Sequence, residues 1–312
     1  MRRPTRSFGV EPSVRPLVLL LLFVLVLALA GCGGDESNDA EPATTAAPAP
    51  PPSKQELFAF DREADLGVRE GETTQQPTFT ATAISYASPG GDRVSGIVLA
   101  PVGEEPQAGV IFMHGAANSS IDFLGDASEL AKGGAIAMTI DSPFARSASE
   151  QVRDGNAPPE TIHELMIRNV QDLVRGFDVL VRHYDVDPER LAVVGYSMGV
   201  QAAATAAAID GRLKAVVLMA GRARPSRIPG DAAWEQRFGP IDTVHFVSDL
   251  APASVLVQGG ERDQVTPRAA LQELYEATSE PKQIRWYAAG HGLNPKAGRE
   301  RVTWLRERLG LQ

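Results

Sequence analysis

The chain has 312 residues, a formal net charge of −9 and a hydrophobic fraction of 43%. That length allows one large domain or two modest ones with a sizeable core, and the apolar and charged fractions are ordinary for a soluble globular chain. The acidic balance, with no basic cluster beyond the first residues, argues against nucleic acid as a partner.

The N-terminus reads as a targeting segment. Arg2, Arg3, Arg6 and Arg15 precede an uninterrupted apolar run over residues 17–30. Such a run is shorter than the roughly 20 residues of a membrane-spanning helix and suits a signal peptide. The junction Leu29-Ala30-Gly31-Cys32 resembles the lipobox of bacterial lipoproteins. By that resemblance cleavage falls before Cys32 and the thiol carries diacylglycerol, tethering an exported protein to the cell membrane, outside the cytoplasm. An ordinary secretory signal with a cysteine nearby is the alternative. Cys32 is the only cysteine, so an internal disulfide is impossible and no thiol remains for catalysis or metal. Loss of residues 1–31 removes four arginines and one glutamate and moves the charge from −9 to −12. Residues 32–53, rich in Ala, Pro and Thr with Asp35, Glu36, Asp39 and Glu41, are expected to form a disordered linker.

Residues 54–77 form an N-terminal extension with no chemistry to read, in which Leu57, Phe58 and Phe60 could cap the domain and 65–68 is a short extended piece. From residue 78 strands and helices alternate. Residues 78–86 and 94–99 read as an antiparallel hairpin around a Gly-rich turn. Residues 109–113 are a wholly apolar strand, 121–132 a helix stopped by Gly133-Gly134, and 135–140 another buried strand. A long helix is predicted over 159–184, where Ile162, Leu165, Val170, Leu173, Phe177 and Leu180 recur at helical spacing. Strand 191–194 leads into Gly195-Tyr196-Ser197-Met198-Gly199 and an alanine-rich helix through Ile209. Residues 215–219, 255–257 and 284–287 complete the strands, and 267–278 and 298–309 the helices. Residues 222–252 are irregular and occupy the place of a cap or substrate segment. Apolar strands alternating with helices predict an α/β fold, a mostly parallel sheet covered on both faces.

The chemistry centres on Ser197. A G-x-S-x-G between a buried strand and a helix projects its serine from a sharp turn. A serine hydroxyl needs a base, and the base an orienting group. His291, in Ala289-Gly290-His291-Gly292, follows the last strand, and Asp263, in Gly260-Glu261-Arg262-Asp263, follows the strand before it. All three loops fall at the carboxyl edge of a parallel sheet, in the order Ser, Asp, His. Glu261 is the rival acid. His163 and His183 on the long helix read as structural, and Asp185 and Asp187 as turn formers.

These motifs resemble those of the α/β-hydrolase superfamily, and within it the dienelactone-hydrolase-like and exopeptidase-like serine esterases, over about residues 78–312. Dienelactone hydrolases proper use a cysteine nucleophile where this chain has Ser197. The resemblance implies a Ser197–His291–Asp263 triad, an acyl-enzyme intermediate and hydrolysis of a small-molecule carboxylic ester or thioester. An oxyanion hole would use the N–H groups of Met198 and Ala116, with Ala117 or Gly115 as fallback. His114, in the His114-Gly115 motif, would organise that loop or line the site. Phe144 or Arg146 could reach substrate from the 141–146 loop, and Trp234, Phe238, His245 and Phe246 are candidates for the pocket wall. A serine peptidase, an acyltransferase and a non-catalytic binding lipoprotein are the alternatives. Neither metal-ligand spacing, a phosphate-loop lysine nor a dinucleotide fingerprint is present, so no metal or cofactor is expected.

Overall fold

The structure, a computed structural model, describes residues 53–103, 108–116, 118–225 and 231–311. The expected signal segment, Cys32 and most of the expected linker therefore lie outside the described residues. A nine-stranded sheet forms the centre, in the order β1-β2-β3-β5-β4-β6-β7-β8-β9. Its strands are β1 Arg69–Gln75, β2 Phe79–Ala87, β3 Arg93–Pro101, β4 Ala108–Met113 and β5 Ala135–Ile140, followed by β6 Leu191–Tyr196, β7 Leu213–Met219, β8 Ser254–Gly260 and β9 Lys282–Tyr287. The first three run antiparallel to their neighbours, and every pairing from β5 to β9 is parallel. Strand β1 has no counterpart in the sequence expectation. All seven of its residues are exposed, so it carries no buried alternation to betray it.

The helices are α1 Leu124–Lys132, α2 Pro143–Arg146, α3 Glu150–Arg153, α4 Pro159–His183, α5 Gly199–Asp210, α6 Ala232–Phe238, α7 Arg268–Ala277 and α8 Pro295–Leu309. Strands β4 and β5 are buried along their whole length, because helices cover both faces. On one face Ile111, Met113 and Val193 pack with Phe177 of α4, the alanines of α5 and Leu271 of α7. On the other, Val110, Phe112 and Val194 pack with Leu130 of α1 and Trp304 of α8. Alternate residues of one strand thus feed two cores, as the two-residue period of a strand requires. Gly176 lets α4 approach closely: a Cβ there would meet Ile111 Cδ1 at 2.9 Å.

Residues 222–252 do not behave as a cap in their described part. Phe238 and Phe246 are fully buried in the α4–α5 core, and Phe246 meets Phe58 edge-on at 5.7 Å. Their aromatic content belongs to the hydrophobic flank of the sheet. Helices α2 and α3, each of four residues and too short to be read from helical periodicity, instead line a cleft with Ala116 and Met198.

Candidate active site

The elbow is built by steric necessity. Strand β6 ends at Tyr196, Ser197 takes a φ of +53°, and α5 starts at Gly199 with Met198 as its N-cap. A left-handed conformation at a non-glycine costs on the order of 1–3 kcal/mol and persists only where the surroundings impose it. Here the Ser197 N–H donates to the Met219 carbonyl at 2.8 Å, pinning the turn to β7. A Cβ at Gly195 would lie 2.5 Å from the Gly199 carbonyl oxygen and 2.7 Å from the Ala203 Cβ, and one at Gly199 2.5 Å from the Met113 oxygen. Both glycines are therefore set by the closeness of strand, turn and helix.

The structure brings Ser197, His291 and Asp263 together from three loops. Ser197 Oγ lies 2.9 Å from His291 Nε2, and His291 Nδ1 lies 2.8 Å from Asp263 Oδ2. An ionised carboxylate only accepts, so the proton sits on Nδ1, leaving the Nε2 lone pair for the hydroxyl proton. The Asp263 side chain is 2% exposed, and its other oxygen accepts from the N–H groups of Val265 and Thr266 at 2.8 and 2.9 Å. Thr266 Oγ1 in turn donates to the Ala220 carbonyl at 2.9 Å, tying the acid loop to the end of β7. Glu261, the rival acid, is exposed to solvent. The Tyr196 ring lies 5.2 Å from the His291 ring. Burial first, then the negative charges of Asp263 and Asp122, push its phenol up and keep it neutral.

Across the elbow lies the loop after β4. A Cβ on Gly115 would come within 3.0 Å of the Ser197 Cβ, so backbone here approaches the nucleophile closely. His114 is 1% exposed, and both its nitrogens are engaged by backbone: Nδ1 donates to the Gly115 carbonyl at 2.7 Å, and Nε2 accepts from the Ser142 N–H at 2.9 Å. It links the loop after β4 to the loop after β5 and offers no free nitrogen to a substrate. Ala117 lies outside the described residues.

The other expected pocket residues divide. Phe144 lines a cleft beside Met198 and Ala116. Arg146 does not reach it, because its guanidinium is drawn inward to Asp172 at 2.8 Å and to the Asp141 carbonyl at 2.6 Å. Trp234 stacks on Phe238 at 4.0 Å, and the edge of His163 meets Phe238 at 5.5 Å. His245 and Phe246 are corrected most clearly. The His245 carbonyl accepts from Lys54, and Phe246 shares a recess with Ala208, nine residues beyond the start of α5 and so roughly 13 Å along it from the elbow. Reading Phe238 and Phe246 as pocket wall failed because a buried aromatic and a ligand-facing one look alike in sequence.

Several cleft residues were missed, Val152 and Ile162 among them. Val152 sits in α3, and Ile162 in the first turn of α4, where the apolar stripe reads as core. No sequence signal separates Ile162 from its neighbours on that stripe. Among the described residues no group of three or more His, Cys, Asp or Glu is placed to hold a metal ion.

A family model, the dienelactone hydrolase family, matches residues 94–303. No curated protein matches the sequence. Among solved structures, acetyl xylan esterase 1 from Thermoanaerobacterium sp. JW/SL YS485 is similar with a TM-score of 0.69 at 17% identity, over 82% of this chain and 92% of that one. An acetyl xylan esterase from Paenibacillus sp. R4 gives 0.64 at 17%, over 81% and 92%. A cold-adapted esterase from an Arctic intertidal metagenomic library gives 0.60 at 17%, over 77% and 99%. At such identities these likenesses speak to the α/β-hydrolase fold.

Proposed function

The chain belongs to the dienelactone hydrolase family of α/β-hydrolases, and from that premise we propose that it hydrolyses carboxylic esters through an acyl-enzyme on Ser197. The observation that carries this reading is the unbroken relay from Ser197 Oγ to His291 Nε2 and from His291 Nδ1 to Asp263, at 2.9 and 2.8 Å. With serine in place of the cysteine of dienelactone hydrolases proper, the attacking group is a hydroxyl and depends on that base.

His291 Nε2 takes the Ser197 proton as Oγ attacks the acyl carbonyl carbon. Asp263 holds the imidazole in its Nδ1–H form and stabilises the imidazolium that results. Negative charge on the carbonyl oxygen is met by the N–H groups of Met198 and Ala116. The tetrahedral species collapses, the C–O bond to the alcohol breaks, and the departing oxygen takes the proton from His291. Water then attacks the acyl-enzyme with His291 again as base, releasing the acid and restoring Ser197.

Fluorophosphonate labelling tests the reading directly. The purified chain should label and should hydrolyse a short p-nitrophenyl ester, and Ser197→Ala should abolish both. Labelling that persists in Ser197→Ala would sink it. We further propose that Cys32 carries the lipid anchor, since small residues and the cysteine close the apolar run. Expressed in a bacterial host, the wild type should fractionate with membranes and Cys32→Ser should not.

A further inference from the structure

A cleft of about 640 Å³ opens beside the elbow, lined by Ala116 and Met198, by Phe144 and Ala145 of α2, by Val152 of α3 and by Ile162 of α4. The exposed Arg153 and Asp154 stand at its outer end. None of the residues lining it comes from the loops that carry Asp263 and His291.

Stereochemistry gives this cleft a role. In the tetrahedral intermediate one substituent is Ser197 Oγ, and the leaving oxygen must face His291 to receive its proton. The oxyanion faces the N–H groups of Met198 and Ala116. The acyl chain takes the direction that remains, away from His291 and past the oxyanion loop, which is where the cleft lies. Its volume falls within the roughly 300–1,000 Å³ of ordinary ligand pockets. At about 30 Å³ per water-sized group it holds roughly twenty such groups, and an acetyl group would leave most of it to water. Most of the lining is methyl, methylene and phenyl surface; the polar side chains of His114, Asn118, Ser119 and Ser142 share it, and the charged ones are Arg153 and Asp154.

We propose that this cleft is the acyl pocket and that the enzyme prefers medium-chain aliphatic acyl groups to acetyl, with Phe144, Val152 and Ile162 setting the preference. This rests on the ester-hydrolase reading above. Each methylene moved from water into such a wall contributes a factor of roughly four to transition-state binding. Even with most of that lost to the open end, octanoyl should outrun acetyl at least tenfold.

The test is kcat/KM for p-nitrophenyl acetate, butyrate and octanoate with the full chain, alongside Ala145→Trp and Ile162→Trp. These variants fill the cleft from two different elements, and Ala145 is exposed, so a tryptophan there displaces no core. The octanoate-to-acetate ratio should exceed ten in the wild type and fall at least tenfold in both variants. A ratio cancels any general loss of folded enzyme. A wild type that prefers acetate, or a ratio unmoved by both variants, would overturn the acyl pocket while fluorophosphonate labelling of Ser197 left the hydrolase reading standing. Failure to label would overturn both.

Discussion

At the scale of single residues, the site depends on a few atoms having no room to be anything else. The φ of +53° at Ser197 and the close contacts around Gly195 and Gly199 belong to one steric solution. Gly195→Ala places a methyl 2.5 Å from a backbone oxygen. Overpacking of this kind costs roughly 1–3 kcal/mol, so its melting temperature should fall by about 2–10 °C in calorimetry. His291 carries a different kind of necessity, because its Nδ1 is held by Asp263 while its Nε2 faces the Ser197 hydroxyl. Replacing it with alanine should lower kcat by about 10⁴–10⁶-fold with the melting temperature near that of the wild type. Activity within a few-fold would remove it as the base. Ser197, Asp263 and His291 could be singled out because each follows a strand in a glycine-marked loop. The role of His114 was legible only in outline, since its partner Ser142 is 28 residues away.

At the scale of elements, the loops after β4 and β5 act as one unit, joined by His114. In His114→Ala the buried Ser142 N–H loses its acceptor and the Gly115 carbonyl its donor. Displacement of the loop after β4, which lies against Ser197, should depress kcat by roughly 10- to 100-fold with KM little changed, measured by steady-state kinetics on one ester. A KM effect alone would show that the ring only walls the cleft. The contact of α4 with α6 carries a pH signature. Burial first, and then the charge of Arg237, hold the His163 imidazole below its ordinary 6.5, while Glu164 pulls the other way. The folded state therefore favours the neutral ring. That contribution is complete above the unfolded pKa near 6.5 and is lost as pH falls below it. The urea midpoint should drop between about pH 7 and 5.5, and His163→Gln should flatten the drop. Equal slopes in both proteins would exclude the contribution. The sequence marked His163 as structural, yet its neighbour Phe238 was expected at the substrate, and only packing separates the two.

At the scale of the whole molecule, the stretch before the sheet is a strap that binds two helices. Phe58 is buried, and Arg175 on α4 stacks over Phe60 while donating to the carbonyls of Asp61, Arg62 and Ala64. Arg62 reaches across to Asp178 of α4 and to Asp210 of α5, which Arg212 bridges at 2.7 and 2.6 Å. A chain begun at Arg69 loses the burial of one aromatic and leaves Arg175 without its acceptors, together on the order of 3–6 kcal/mol. Its melting temperature should fall by roughly 5–15 °C against a chain begun at Ser53. An unchanged value would make the strap ornamental. The sequence placed Leu57, Phe58 and Phe60 as a cap on the domain, and they do cover α4. It did not find β1, because a strand exposed along its whole length has no alternation of burial to print.

What the sequence determined by itself is what local chemistry and strand order enforce. Short apolar runs bounded by turn residues and alternating with helical segments read as buried strands of a covered sheet. Glycines two residues either side of a serine between strand and helix demand an elbow. Chain order along a parallel sheet then sends the acid and the base to the same edge. What the tertiary structure alone decided is which apolar side chains face a void. Ile162 and Phe238 both lie on helices and are both hydrophobic, but one lines the cleft and the other is sealed in the core. That difference arises from how elements distant in sequence close around space, and neither residue type nor periodicity encodes it.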